Sequence, residues 1–319
     1  MRWTLGVAVS GVLMYLLAVQ TTPERFHHLL SRVDPYFMGV ALAVYLVCNL
    51  VRTMRFNELA GGGGPGLAKM YYLNAQYNFY TAIFTGVGEF SYPVILSRRH
   101  GVPFGAGMEN LLVARAYDAL FLAAAFSTSV VMLFAGSAQR AGVYIAVLLA
   151  AVTLLVAYGS GAVASFAQGA VGGLARRTGW ISAGRVERML VDMGRSLSAG
   201  RRASVHIRLF LYTAVMWFAA CFVFFCIFKS LGVGLAPLQT VFVTTAVNLM
   251  SVVPVATIGG LGVKEAGLAG ALVMLGFGKE EAVPIGMLAR LFSLSFLFVL
   301  LAAAFVIGRA GGYREGTGR

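Results

Sequence analysis

Two stretches of this chain carry the same chemistry in the same order. The first reads Gly86-Val87-Gly88-Glu89, then Gly101, then Arg115 twenty-six residues after the glutamate. The second reads Gly259-Gly260-Leu261-Gly262-Val263-Lys264-Glu265, then Gly276, then Arg290 twenty-five residues after its glutamate. Each copy offers a glycine break, a carboxylate, a further glycine and a guanidinium. A guanidinium is a bidentate donor to carboxylate or phosphate, and a nearby carboxylate can serve as its resting partner or as a proton acceptor. Asn78 lies six residues before Phe84, and Asn248 lies six before Pro254, so each break also has an amide upstream. Asp118 follows Arg115 by three residues, which puts both on one helical face where they can pair. The candidate binding set is therefore Glu89, Arg115, Asp118, Lys264, Glu265, Arg290, Asn78 and Asn248. The candidate helix breaks are Gly86, Gly88, Gly259, Gly260 and Gly262.

The elements that must position these residues are apolar. The chain has 319 residues, 59% hydrophobic and 12% charged, with a mean hydropathy of +0.81; in soluble domains about a quarter of residues are charged. This predicts an integral membrane protein, all-α, forming a single transmembrane domain over 1–319 with no room for a soluble catalytic domain. Six runs are long enough to span: 3–19, 36–51, about 109–134, 142–166, 207–228 and 282–307. The stretches 67–97 and 238–275 are interrupted by glycines beside charged residues and read as broken or re-entrant hairpins. The segment Gln20-Thr21-Thr22-Pro23-Glu24 lacks a small-x-small cleavage pattern, so 3–19 reads as a first crossing rather than a signal peptide.

The net charge of +13 comes from arginines placed between apolar runs, which points to the anionic inner membrane surface and not to nucleic acid. With both termini inside and each hairpin returning to the side it entered, seventeen basic residues lie inside and five outside. Seven arginines fall in the connector 167–204, where Val186, Met189, Leu190, Met193 and Leu197 share one helical face. That segment reads either as an amphipathic helix on the inner leaflet or as a topogenic connector. Cys48, Cys221 and Cys226 lie inside apolar runs and offer neither a disulfide framework nor metal-ligand spacing. The four histidines lie near membrane ends, and the glycine loop 61–66 lacks the Lys-Ser or Lys-Thr of a phosphate-binding loop. No metal or cofactor is expected.

Three crossings separate the two hairpins, so repeat 1 (about 67–134) and repeat 2 (about 238–308) are expected to be inverted. Glycine-broken helices facing each other from opposite sides are the layout of transporters whose site lies near the bilayer midplane. At a rise of about 1.5 Å per residue, Arg115 and Arg290 sit roughly 10–17 Å along their helices. An ionised group at that depth costs about 3 kcal/mol on insertion scales and is retained when paired or used. Two readings of the group follow: ion pairs that pin the hairpins, or a site for the phosphate of a lipid head group.

The segments Gly88-Glu89, Leu96-Ser97-Arg98-Arg99-His100-Gly101-Val102 and Ala114-Arg115-Ala116-Tyr117-Asp118 form one group. Together with Val253-Pro254, Gly259-Gly260-Leu261-Gly262-Val263-Lys264-Glu265 and Ala289-Arg290, they resemble the flippase-like transmembrane region of lysylphosphatidylglycerol synthases. Nearly the whole chain takes part. The resemblance implies a polytopic inner-membrane protein, without the aminoacyl-transferring domain, that moves a lipid between leaflets. The lipid would be an anionic phospholipid, an aminoacyl-phospholipid or a polyprenyl-phosphate lipid. Phe84 and Ile258 stand where the family has proline, and Ser91-Tyr92-Pro93 replaces an arginine after the first Gly-Glu.

The leading expectation is a flippase or scramblase-like transporter whose partners are membrane lipids with a phosphate head group. One alternative is an intramembrane enzyme using Glu89 and Glu265 as paired carboxylates, although no nucleophile, metal cluster or nucleotide motif accompanies them. The other is a membrane partner that recruits a lipid-modifying enzyme through 167–204. Tyr71, Tyr72, Tyr77, Phe79 and Tyr80 read as packing or an interfacial belt.

Overall fold

The computed structural model describes residues 23–61, 65–84, 87–134, 203–250 and 262–310. The expected crossings 3–19 and 142–166, the connector up to residue 202, and Gly86, Gly259 and Gly260 lie outside these residues. All regular elements described are helical: α1 (Pro23–Ser31), α2 (Pro35–Leu59), α3 (Leu67–Ile83), a 3-10 turn (Val87–Phe90), α4 (Ser91–His100), α5 (Phe104–Leu133), α6 (Ala203–Ser230), α7 (Pro237–Met250), α8 (Val263–Met274) and α9 (Lys279–Ala310). Among the described residues, α2, α5, α6 and α9 contain segments long and apolar enough to cross a membrane.

The order of elements repeats. A long helix, a medium one, a short one and another long one occur as α2–α5 and again as α6–α9, with lengths of 25, 17, 10 and 30 residues against 28, 14, 12 and 32. The packing repeats reciprocally as well. Within each half the short helix lies on the long one that follows it, α4 on α5 and α8 on α9. Between halves the medium helices are exchanged: α3 packs on α9, and α7 packs on α5. The first long helices, α2 and α6, lie against each other along their length.

Local chemistry sets these elements. Helix α2 begins with Pro35 at its first turn, and the Asp34 side chain accepts from the Tyr36 backbone N–H at 2.8 Å, a cap of the kind that satisfies an orphan donor. Ser230, at the end of α6, donates its hydroxyl to the Asp34 carbonyl at 2.9 Å, so the start of α2 is fixed to the end of α6. At the opposite end Arg208 Nη2 meets Glu58 Oε1 at 2.7 Å, which makes the pair antiparallel. The turns closing the short helices both use glycine with positive φ, Gly101 at 69° and Gly276 at 96°. These are the spaced glycines of the two sequence copies, and the left-handed conformation is what glycine permits. At the basic end of α4, burial and then the charges of Lys69 and Arg99 hold the His100 imidazole below its ordinary range.

Beside its apolar core the bundle buries charged groups and exposes large apolar side chains, both uncommon in a soluble domain. Arg55, Asp118, Glu265, Asn49 and Asn74 are buried. Phe210, Phe218, Phe222, Leu291, Phe298 and Val306 are exposed. Apolar rings face outward while charges face one another inside, the distribution expected where the surrounding solvent is hydrocarbon. The two largest of the four buried apolar clusters among the described residues lie one in each half. One joins Phe228, Phe242, Leu268, Leu272 and Leu288 in the second half, and the other joins Phe56, Leu73, Tyr92, Leu96 and Leu111 in the first.

The apolar run 36–51 places Arg52 and Arg55 just beyond the membrane, among the seventeen basic residues counted inside. Helix α2 continues to Leu59 and takes both arginines with it. Without them the inside tally falls from seventeen to fifteen against five, and the bias keeps its sign. Residues 23–31, expected within an outer connection, form helix α1.

Candidate functional site

The first glutamate is positioned by a close approach. A Cβ added to Gly88 would lie 2.3 Å from the Tyr80 carbonyl oxygen and 2.6 Å from Thr81 Cα, both backbone atoms of α3. Only glycine lets the 3-10 turn fold back this tightly, and the turn presents Glu89 to α5. There Arg115 grips both carboxylate oxygens, Oε1 through Nη2 and Oε2 through Nε, the latter at 3.2 Å. Tyr77 completes the unit, donating its hydroxyl to Glu89 Oε2 at 2.7 Å and accepting from Arg115 Nη2 at 2.6 Å.

The second glutamate is held by a helix terminus. Glu265 Oε2 accepts from the Gly262 backbone N–H at 2.7 Å, the reach-back half of a capping box at the start of α8. Its Oε1 stands 3.7 Å from Arg290 Nε. Both ion pairs expected from the sequence are therefore formed, one in each half. They differ in access: side-chain exposure is 46% for Arg115 and 27% for Glu89, against 13% for Arg290 and 4% for Glu265. The first pair is open and the second is closed.

Lys264 precedes Glu265 in the first turn of α8. It is close enough to feel the charges of Arg290 and Glu265 on its own side and those of Arg115 and Glu89 on the other. Among the described residues it has no carboxylate within ion-pair distance.

Asp118 departs from its expected role. It lies 3.6 Å from Arg115 Nη1, as the three-residue spacing allows, but its closest partner is Arg55. Arg55 engages both of its oxygens, Nη1 at 2.6 Å and Nη2 at 3.2 Å, and Trp217 Nε1 donates to Oδ1 at 3.0 Å. Arg55 also donates to Thr213 at 3.1 Å. The result is a chain of contacts, Glu89 to Arg115 to Asp118 to Arg55, that ties α2, α5 and α6 to the first break. Nothing ionic occupies the matching positions of the second half, where Cys226 stands four residues before the end of α6 and Ser293 three residues after Arg290.

Of the two asparagines, Asn78 joins the site, accepting from Arg52 Nη1 at 2.7 Å and donating to Asn49 Oδ1 at 2.9 Å. Asn248 does not. Its amide donates to the Thr244 carbonyl one turn earlier in α7, at 2.7 Å. Arg52, Arg55, Tyr77 and Trp217 are members that the sequence reading missed. Arg52 and Arg55 stand at a run's end and mimic topogenic charges, and Tyr77 was read with the packing aromatics. The signal that could have found Arg55 is the count of Asp118, a buried carboxylate with only a shared arginine on its own helix.

Chemically the arrangement offers guanidinium groups held in place by carboxylates and a tyrosine, in an apolar bundle. Such groups can exchange a carboxylate for a phosphate without a change in coordination. Glu89 and Glu265 each face their own arginine and not each other.

No curated protein matches the chain, and neither does any solved structure. A family model described as the lysylphosphatidylglycerol synthase TM region matches residues 3–302. The helical bundle with its two arginine–glutamate pairs is thus that of a chain that belongs to the lysylphosphatidylglycerol synthase transmembrane-region family.

Proposed function

We propose that this protein is a lipid transporter of the flippase or scramblase kind, acting on a lipid with a phosphate head group. The observation that carries the reading is the pair of arginine–glutamate contacts at Arg115–Glu89 and Arg290–Glu265, one at each broken helix, with Lys264 within charge range of both. Family membership supports a role with membrane lipids. In this reading α3–α4 and α7–α8 are re-entrant hairpins of an inverted repeat completed by six crossings. The protein lies in a bacterial inner membrane with both termini inside. The head group occupies the space between the hairpins near the midplane while the tails remain in the bilayer.

Transport follows from exchange of partners. A phosphate entering from the open side takes Arg115 from Glu89, and rocking of the hairpins passes it to Arg290, freed from Glu265 in turn. The unequal exposure of the two pairs supports a site that opens on one side at a time. No nucleotide motif is present in the sequence, so the driving force is an ion, a proton or the lipid gradient. We read the chain as a carrier and not an enzyme, because each glutamate is engaged by its own arginine. The test is transbilayer movement of fluorescent phospholipids in vesicles containing the purified protein. Movement above protein-free vesicles is expected, and its absence with folded protein contradicts the reading.

A further inference from the structure

Helix α3 has a second face that the arginine–glutamate site does not use. Lys69, Tyr72, Gln76, Phe79 and Tyr80 follow one another at helical spacing and fall within about 100° of the helix surface. Tyr77 and Asn78, which serve the charged site, lie roughly 110° and 150° round from the centre of that stripe. The stripe borders a cleft of about 420 Å³ between α3 and α9, lined by Tyr72, Gln76, Phe79 and Tyr80 on one side and by Ala302 and Phe305 on the other. Tyr80 is 39% exposed and Phe305 43%, so the cleft opens on the outer surface of the bundle. Because α3 and α9 belong to different halves, it also lies on the seam between them.

The cleft is apolar with a basic end. Arg99, exposed in the last turn of α4, donates from Nη1 to Gln76 Oε1 at 3.1 Å, which sets a guanidinium beside the amide of the lining. Arg98 next to it is exposed as well, and so is Lys69, one turn before Tyr72 on the same stripe. Tyr72 stands five residues beyond the start of α3 and Phe305 five before the end of α9, about 8 Å from each helix end. In the orientation proposed above, both ends face the inner side. The aromatic rings then lie at the depth of an interfacial belt and the basic groups at that of the inner head groups.

We propose that this cleft is a docking site for an anionic phospholipid of the inner leaflet, separate from the Arg115 and Arg290 pairs. The phosphate meets Arg99, with Lys69 nearby, and an acyl chain lies against Ala302 and Phe305. A guanidinium at the end of an apolar groove matches a phosphate joined to a hydrocarbon tail. Size argues against a helix as occupant: one turn with its side chains, about 10–12 Å across and 5.4 Å long, needs about 500 Å³. The leaflet follows from the proposed orientation; the site itself does not depend on transport. A lipid held here touches both halves, so its binding stabilises the bundle by mass action.

The experiment irradiates the purified full chain in detergent with phosphatidylglycerol or phosphatidylcholine carrying a diazirine in the acyl chain, and locates the label by mass spectrometry. Phosphatidylglycerol should label 72–80 and 301–305, and unlabelled phosphatidylglycerol should compete where phosphatidylcholine does not. Arg99→Gln should lower that labelling by about fivefold, the worth of one basic residue near an anionic lipid surface, and Arg99→Lys should keep it. Ala302→Trp fills the cleft without touching a charge and should abolish the label, with an unchanged elution profile showing that the variant folds. Equal labelling by both lipids, or labelling unaffected by Arg99→Gln and Ala302→Trp, overturns the proposal. Displacement of the probe by inorganic phosphate overturns it by making a free anion the ligand, and crosslinks between two chains through these residues overturn it by making a second copy the occupant. Vesicles in which no lipid crosses the bilayer would sink the transport reading and leave this site to be decided by the label.

Discussion

Arg115 and Arg290 occupy the same place in their respective helices, each eleven residues beyond the first, Phe104 and Lys279. At about 1.5 Å per residue both stand roughly 16 Å from the helix start. Each faces the glutamate that follows the preceding break. The two halves thus build the same arginine–glutamate pair twice.

Asp118 is the fixed point of the first half. Replacing it with Ala leaves the buried Arg55 without a carboxylate, a change that costs about 3–5 kcal/mol where one partner of a buried pair is removed. Thermal unfolding in detergent should show a large fall in Tm. The paired replacement Arg55→Met with Asp118→Leu should recover most of it. A single variant as stable as wild type would remove Asp118 from this role.

Tyr77 bridges the open ion pair through one hydroxyl. Tyr77→Phe keeps the ring stacked edge-on to Phe56 and Tyr92 while losing two hydrogen bonds to charged groups, worth about 1.5–3 kcal/mol each. Lipid movement is expected to fall by about tenfold with the elution profile of the folded protein unchanged. Full activity in this variant would confine Tyr77 to packing.

Gly88 and Gly39 give a matched test of backbone approach. Gly88→Ala places a Cβ against the α3 backbone and should reduce both Tm and yield. Gly39, within α2, has nothing within 4 Å of a built Cβ. There Ala should be neutral or raise stability by about 0.5–1 kcal/mol, through the helix preference of Ala over Gly. The same outcome for both would mean that the turn at Gly88 is looser than described.

Orientation is open to labelling. Cys48, Cys221 and Cys226 are buried, so a single new cysteine reports its own side. Lys279→Cys should react with an impermeant reagent in intact cells, and Arg99→Cys only after permeabilisation. The reverse pattern would invert the topology, and reaction of both in intact cells would break it.

Much of the fold was legible because its determinants are local. Glycine, glutamate, glycine and arginine recur at nearly fixed spacing, and each spacing translates into a turn and a helix of set length, so both ion pairs could be anticipated. Arg55 and Asp118 are 63 residues apart and meet only because α2 and α5 are brought together by packing. No periodicity reports that contact. Arg52 and Arg55 also look like topogenic charges, since a basic residue at the end of an apolar run has the same appearance whether it turns to the head groups or into the bundle. Tyr77 was hidden differently, because four other aromatics lie within six residues of it on either side. The exchange of α3 and α7 between halves is a property of assembly that no single segment encodes.

The most direct measurement is the rate of transbilayer movement of a fluorescent anionic phospholipid in vesicles containing wild type, Arg115→Ala, Arg290→Ala, or Glu89→Ala with Glu265→Ala, at equal amounts of folded protein. The account predicts movement by wild type and its loss in all three variants, because both halves must handle the same phosphate. Movement that persists unchanged in Arg115→Ala and Arg290→Ala would contradict it and would reduce the two ion pairs to pins that hold the hairpins in place.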